Sequence, residues 1–64
     1  MKVSTLALKL QNAVIADDDM DLIDRLSQRL SDVVIQMQIN GVNPKEVNAE
    51  CKAAGVSEDF WPFS

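Results

Sequence analysis

Apolar residues recur every three or four positions along most of this chain, which is the spacing of one face of an α-helix. Over residues 3–16 these residues are Val3, Leu6, Leu10 and Ala13. Over residues 19–40 they form a heptad seam of Ile23, Leu26, Leu30, Val33 and Met37. A heptad seam is typical of helices that pack side by side. The pattern therefore predicts a first helix over about residues 3–16 and a second over about residues 19–40.

Two stretches also alternate between apolar and polar residues, as a half-buried β-strand does. They are residues 6–10, with three alternating leucines, and residues 33–40, where Ile35, Met37 and Ile39 alternate with polar side chains. The Leu, Ala, Lys and Gln content of the first stretch favours a helix. Helix is also favoured in the second stretch, with a strand over residues 33–40 as the alternative.

The ends of these helices and the start of a third are indicated by capping residues. Asp19 can accept the free amide hydrogens of the second helix, and Gly41 can adopt the left-handed conformation that ends it. Asn43 and Pro44 suit the cap and the first position of a new helix, and Glu46 suits a capping box. We therefore predict a third helix over about residues 44–54, stopped by Gly55. Its expected buried face is Val47, Cys51 and Ala54.

The expected fold is all-α and forms a single small domain over residues 1–64. The first two helices are expected to form an antiparallel hairpin, followed by the short third helix and an aromatic tail over residues 55–64. A chain of 64 residues buries only about 60% of the surface that its unfolded form exposes, so it usually needs a further source of stability. Val34, Ile35 and Ile39 add apolar surface outside the seam of the second helix. We therefore expect a helical homodimer that self-associates through the seam.

Composition excludes several classes of function. The chain has a net charge of −4, no histidine and one cysteine, Cys51. It has no activated nucleophile, no zinc ligand set and no glycine-rich phosphate loop, so we expect no enzyme activity, no metal and no cofactor. Acidic chains repel phosphates and anionic membranes, so neither nucleic acid nor a membrane is an expected partner. The single thiol and the absence of a secretory signal indicate a cytoplasmic protein.

The segment from Cys51 to Ser57 resembles the turn of helix-turn-helix DNA-binding proteins, in which Ala-Gly-Val-Ser joins two helices. This resemblance implies a DNA-binding transcriptional regulator, which is one alternative function. The chain departs from the pattern at Glu50, where that family has an apolar residue. It also departs at Glu58 and Asp59, because a recognition helix must approach phosphates.

All three aromatic residues lie in the aromatic tail, at Phe60, Trp61 and Phe63. Either the tail is a lid over the groove between the helices, or it is an anchor that docks into another protein, since buried Trp and Phe often dominate interfaces. We expect an inhibitor, anti-activator or adaptor that covers a surface of a larger target protein, of the kind that phages and plasmids encode. The candidate contact residues are Ile35, Ile39, Phe60, Trp61 and Phe63. A purely structural assembly subunit is the other alternative.

Overall fold

The computed structural model describes residues 2–63, and the regular structure in that range is entirely helical. Helix α1 spans Val3–Ile15, α2 spans Met20–Ile39 and α3 spans Pro44–Ala53, and a single 3-10 turn follows at Glu58–Phe60. The three predicted helices are confirmed, and each begins and ends within one residue of its expected bounds. The strand alternatives are wrong at both places, because residues 6–10 belong to α1 and residues 33–39 belong to α2.

Helix α1 is the centre of the core, although it is not the longest helix. It packs against α2, α3 and the 3-10 turn. All four residues of its predicted apolar stripe are buried, and Ala7 is buried beside them. Leu6 and Cys51 are the largest side chains that are fully buried. A small core can form in this way because α1 presents residues to its neighbours on more than one side.

The three α-helices end in the same hydrogen-bonded motif. After α3, Gly55 lies at φ +90°, the amide of Gly55 donates to the carbonyl of Lys52, and the amide of Val56 donates to that of Cys51. This is a Schellman motif, and the apolar contact that accompanies it is made by the buried pair Cys51 and Val56. Gly41 fills the corresponding position after α2 at φ +72°. The sequence-based expectation of a glycine stop at both places is confirmed.

The turn after α1 uses the same motif without a glycine. Asp17 lies at φ +52°, and the amide of Asp18 donates to the carbonyl of Ala13. A left-handed conformation is unfavourable for a residue with a side chain, although less so for aspartate than for most others. The next residue, Asp19, caps α2 by accepting the amide hydrogen of Asp21 at 2.9 Å, as expected.

Helix α3 begins with the predicted cap and proline, but Glu46 makes no hydrogen bond to the amide of Asn43, so the predicted capping box is not completed. Its buried face also differs at one position. Asn43 accepts the amide hydrogen of Lys45 at 3.0 Å, and Pro44 is the first residue of the helix. Val47 and Cys51 are buried. The prediction that Ala54 is buried was wrong, because Ala54 is the exposed cap residue at which α3 ends. The chain then turns back toward α1 at Gly55.

Candidate protein-binding surface

Helix α2 is the longest helix and has no buried residue along its 20 positions. Its heptad seam packs toward α1, but each seam residue is only half-buried. These residues are Ile23, Leu26, Leu30, Val33 and Met37. In a stable two-stranded packing such positions are enclosed by a facing helix. The seam is therefore only partly covered by the rest of the chain.

The C-terminal part of α2 carries a second apolar face. Ile35 is 52% exposed and Ile39 is 71% exposed. Successive helix residues are rotated by about 100°, so Ile39 lies opposite Leu30 on the helix and Ile35 lies about 140° from it. Residues 33–44 contain no charged side chain. An exposed, uncharged and apolar surface has the composition found at the centre of protein interfaces, and we call residues 33–44 the uncharged half.

The aromatic tail folds back onto its own core. Phe60 and Trp61 pack against the cluster formed by Ala7, Cys51 and Val56. The indole Nε1 of Trp61 donates to the carbonyl of Val56 at 3.0 Å. Phe60, Trp61 and Phe63 are all half-buried. This geometry corresponds to the lid arrangement, and it leaves part of each ring accessible.

Two polar side chains hold the tail in place, and sequence reasoning missed both. Asn48 on α3 donates to the carbonyl of Phe63 at 2.6 Å and accepts its amide hydrogen at 3.2 Å. Gln11 on α1 donates to the carbonyl of Gly55 at 3.3 Å and accepts the amide hydrogen of Ser57. Gln11 is only 9% exposed. Its place on the buried side of α1, next to Leu10, was the one sequence signal that could have identified it.

Trp61 lies between two surface recesses. The first, which we call the α2 recess, has a volume of about 350 Å³. It is lined by Leu30, Ser31, Val34, Ile35, Trp61 and Pro62. The structure therefore brings together two of the expected contact residues, Ile35 and Trp61. Ile39 lies one turn further along α2 and does not line this recess.

The second recess lies between α3 and the tail, and we call it the acidic recess. Its volume is about 470 Å³. It is lined by Asn48, Glu58, Asp59, Trp61 and Phe63. Phe63 and Ile35 thus line different recesses, and Trp61 lines both. The five expected contact residues are divided among the packed core, the uncharged half and these two recesses.

Cys51 lies in the core and is not accessible to a substrate. It is fully buried beside Ala7 and Val56. Burial raises the pKa of the Cys51 thiol above its ordinary value, and the negative charge of Glu50 raises it further. The protonated thiol is a poor nucleophile. No group of three or more metal-ligating side chains occurs among residues 2–63.

The structure also bears on the resemblance to the helix-turn-helix turn. Helix α3 and the turn at Gly55 are present, but the following helical segment in the described range is only the 3-10 turn Glu58–Phe60. A recognition helix must be long enough to lie in the major groove and present side chains to bases. A three-residue turn with two carboxylates does not provide such a helix.

No protein-family model, curated protein or solved structure matches this chain. Over residues 2–63, none of the helices combines the length and the apolar character needed to cross a bilayer.

Proposed function

We propose that this chain is a protein-binding module that acts as an inhibitor, anti-activator or adaptor by covering a surface of a larger protein. The observation that carries the proposal is the state of α2, a 20-residue helix without a single buried residue. Its uncharged half exposes Ile35 and Ile39. Burying an exposed isoleucine contributes about 1.5–3 kcal/mol, so a partner that covers both gains substantially in affinity.

The proposal includes a homodimer in which the seam of α2 packs against a second copy. The seam residues are half-buried in one chain, and a 64-residue chain alone buries only about 60% of its unfolded surface. The short connection between α1 and α2, residues 16–19, favours an antiparallel hairpin, since short links join antiparallel neighbours. Two such hairpins would form a closed helical bundle.

Sedimentation velocity over a range of concentrations tests self-association. We expect a dimer whose fraction rises with concentration, and Met37→Glu should shift it to monomer because the new carboxylate would be buried at the seam. Gln38→Glu introduces the same charge on an exposed neighbouring position and should leave the dimer intact. A monomer at all concentrations would refute the dimer, and open assemblies of growing size would favour a purely structural subunit.

Target binding is tested by a matched pair of surface substitutions. Ile39 is 71% exposed on α2, and Ile15 is 73% exposed at the end of α1. Affinity purification from the native host with mass spectrometry should recover a protein that wild type and Ile15→Asp retain. Ile39→Asp should lose that protein, because its affinity should fall about tenfold or more. Equal recovery with both variants would refute the role of the uncharged half.

The aromatic tail is the second part of the proposed contact surface, through Phe60, Trp61 and Phe63. Trp61→Ala is expected to weaken target binding more than it lowers thermal stability. Because the indole packs on Ala7, Cys51 and Val56, some loss of stability is expected as well. A thermal melt and a binding measurement on the same preparation distinguish a tail that contacts the target from one that only covers the core. A large loss of stability with unchanged binding would show that the tail is a lid alone.

A further inference from the structure

The acidic recess combines aromatic rings and carboxylates in one concave site. It occupies about 470 Å³ and is lined by Trp61, Phe63, Glu58, Asp59 and Asn48. Both ionisable residues among these five are acidic, and none is basic. A volume of this size lies within the usual range of about 300–1,000 Å³ for ligand sites. The site therefore offers a negative field and two π-systems to the same ligand.

Hydrogen bonds hold the chain segment that carries the two aromatic residues of this recess. Asn48 binds both backbone groups of Phe63, at 2.6 Å and 3.2 Å. Trp61 is held through its Nε1, which donates to Val56 at 3.0 Å. The indole of Trp61 and the backbone of Phe63 are therefore ordered before binding, so little conformational entropy is lost at these groups. The recess is a formed feature of the folded chain.

The chemistry of the walls selects a cation. The face of an aromatic ring attracts a positive charge through its quadrupole, most strongly for Trp, and two carboxylates add charge attraction. A planar guanidinium both stacks on aromatic faces and binds carboxylates in a fixed fork. An anion is repelled by Glu58 and Asp59, and a metal ion lacks a set of three ligands among residues 2–63.

We propose that the acidic recess binds an arginine side chain of the protein that α2 contacts. This inference rests on the proposed function, since Trp61 lines both the acidic recess and the apolar α2 recess. A partner segment with an apolar side chain and a nearby arginine can fill both sites at once. The net charge of −4 complements such a segment.

A direct test uses a neutral analogue of arginine. The probe is the blocked peptide acetyl-Gly-Arg-Gly-amide, and its control carries citrulline, which has nearly the same shape without the charge. Trp61 is the one tryptophan of the chain, so its indole N–H resonance reports binding without ambiguity. We expect saturable shifts of the Trp61 and Phe63 signals with a Kd of about 1–10 mM. The citrulline peptide should bind at least about threefold more weakly, since a cation–π contact contributes about 0.5–1 kcal/mol or more.

Variants that remove one carboxylate charge test whether the acidic side chains of the recess contribute to binding of the arginine peptide. Glu58→Gln and Asp59→Asn should each weaken the arginine peptide about two- to fivefold, and the double variant about tenfold. Asp24→Asn removes one charge from an exposed position on α2 and is the control for net charge; it should leave binding unchanged. Lysine in place of arginine should bind more weakly, because an ammonium lacks the planar face.

Three results would overturn the proposal. They are the absence of shifts at Trp61 and Phe63 at about 10 mM peptide, equal binding of the arginine and citrulline peptides, and equal weakening by Asp59→Asn and Asp24→Asn. Equal or tighter binding of the lysine peptide would also contradict the proposal, because it would show that the recess has no preference for arginine over another cation. Failure here differs from failure of the proposed function, because Ile39→Asp would still remove the target protein if α2 binds it without the recess.

Discussion

Replacing Gln11 by alanine should destabilise the protein out of proportion to the size of the change. Gln11 is the polar link between α1 and the turn after α3, and it forms one hydrogen bond to Gly55 and one to Ser57. Its amide is suited to this pair because one end must donate and the other must accept. A hydrophobic side chain of similar size could fill the space but would make neither bond.

The magnitude follows from these two bonds and their surroundings. Each hydrogen bond contributes about 0.5–1.5 kcal/mol net. Gly55 and Ser57 are exposed residues, although both bonds are part-buried, so the freed backbone groups add only part of the penalty for an unpaired buried group. We therefore expect a loss of about 1–3 kcal/mol in the free energy of unfolding. A chain of 64 residues is stable by about 3–10 kcal/mol in total, so the loss is a substantial fraction.

Urea and thermal unfolding monitored by circular dichroism measure this loss. The expected fall in Tm is about 5–20 °C, from about 4–8 °C per kcal/mol for a domain of this size. Gln38→Ala is the matched control, because Gln38 is an exposed glutamine on α2 and both variants gain the same helix propensity. If the two variants melt at the same temperature, the two bonds of Gln11 contribute nothing net and the reasoning is refuted.

Four further predictions concern the core and the helix ends. Asp17→Gly should raise the free energy of unfolding by about 0.5–1 kcal/mol, because φ +52° suits glycine; lower stability in urea would contradict this. Leu6→Ala should lower the free energy of unfolding by about 2–5 kcal/mol, since Leu6 is 2% exposed. Thr5→Ala, at an exposed position, should change the urea midpoint little. Cys51 should resist alkylation by iodoacetamide until the protein unfolds. Because the pKa of Cys51 is raised in the folded protein, the unfolded chain loses its thiol proton first as the pH rises. The free energy of unfolding should therefore stay constant up to about pH 8.5 and fall at higher pH. Cys51→Ala should remove this fall.

The helices could be predicted from the sequence because local signals agree with the tertiary packing. Asp19, Asn43 and Gly41 act within one turn of the backbone, so their roles can be read without knowledge of the fold. The stripe of α1 was predictable for a similar reason, since apolar residues that recur every three or four positions lie on one side of a helix. The strand alternative for residues 33–40 failed because α2 continues through Ile39 and no neighbouring strand exists within residues 2–63 to pair with it.

The features that depend on distant contacts could not be predicted in the same way. Gln11 and Ser57 are 46 positions apart in the chain, and Asn48 and Phe63 are 15 apart. Apart from its place next to Leu10 on α1, nothing in the local sequence distinguishes Gln11 from an exposed glutamine. The acidic recess was missed for the same reason, because it requires Asn48 and the tail to meet. From the sequence, Glu58 and Asp59 were interpreted only as unfavourable for DNA binding. In the structure they line the same recess as Trp61 and Phe63, where their charge favours a cation.

The return of the tail to α1 also sets the order in which the protein can mature during translation. Helix α1 is made first, yet part of its apolar surface is covered by Val56, Phe60 and Trp61, which leave the ribosome much later. Until then the nascent chain exposes part of the apolar surface of α1, which chaperones can bind. Release of the tail from the ribosome, rather than completion of α1, should therefore end chaperone contact.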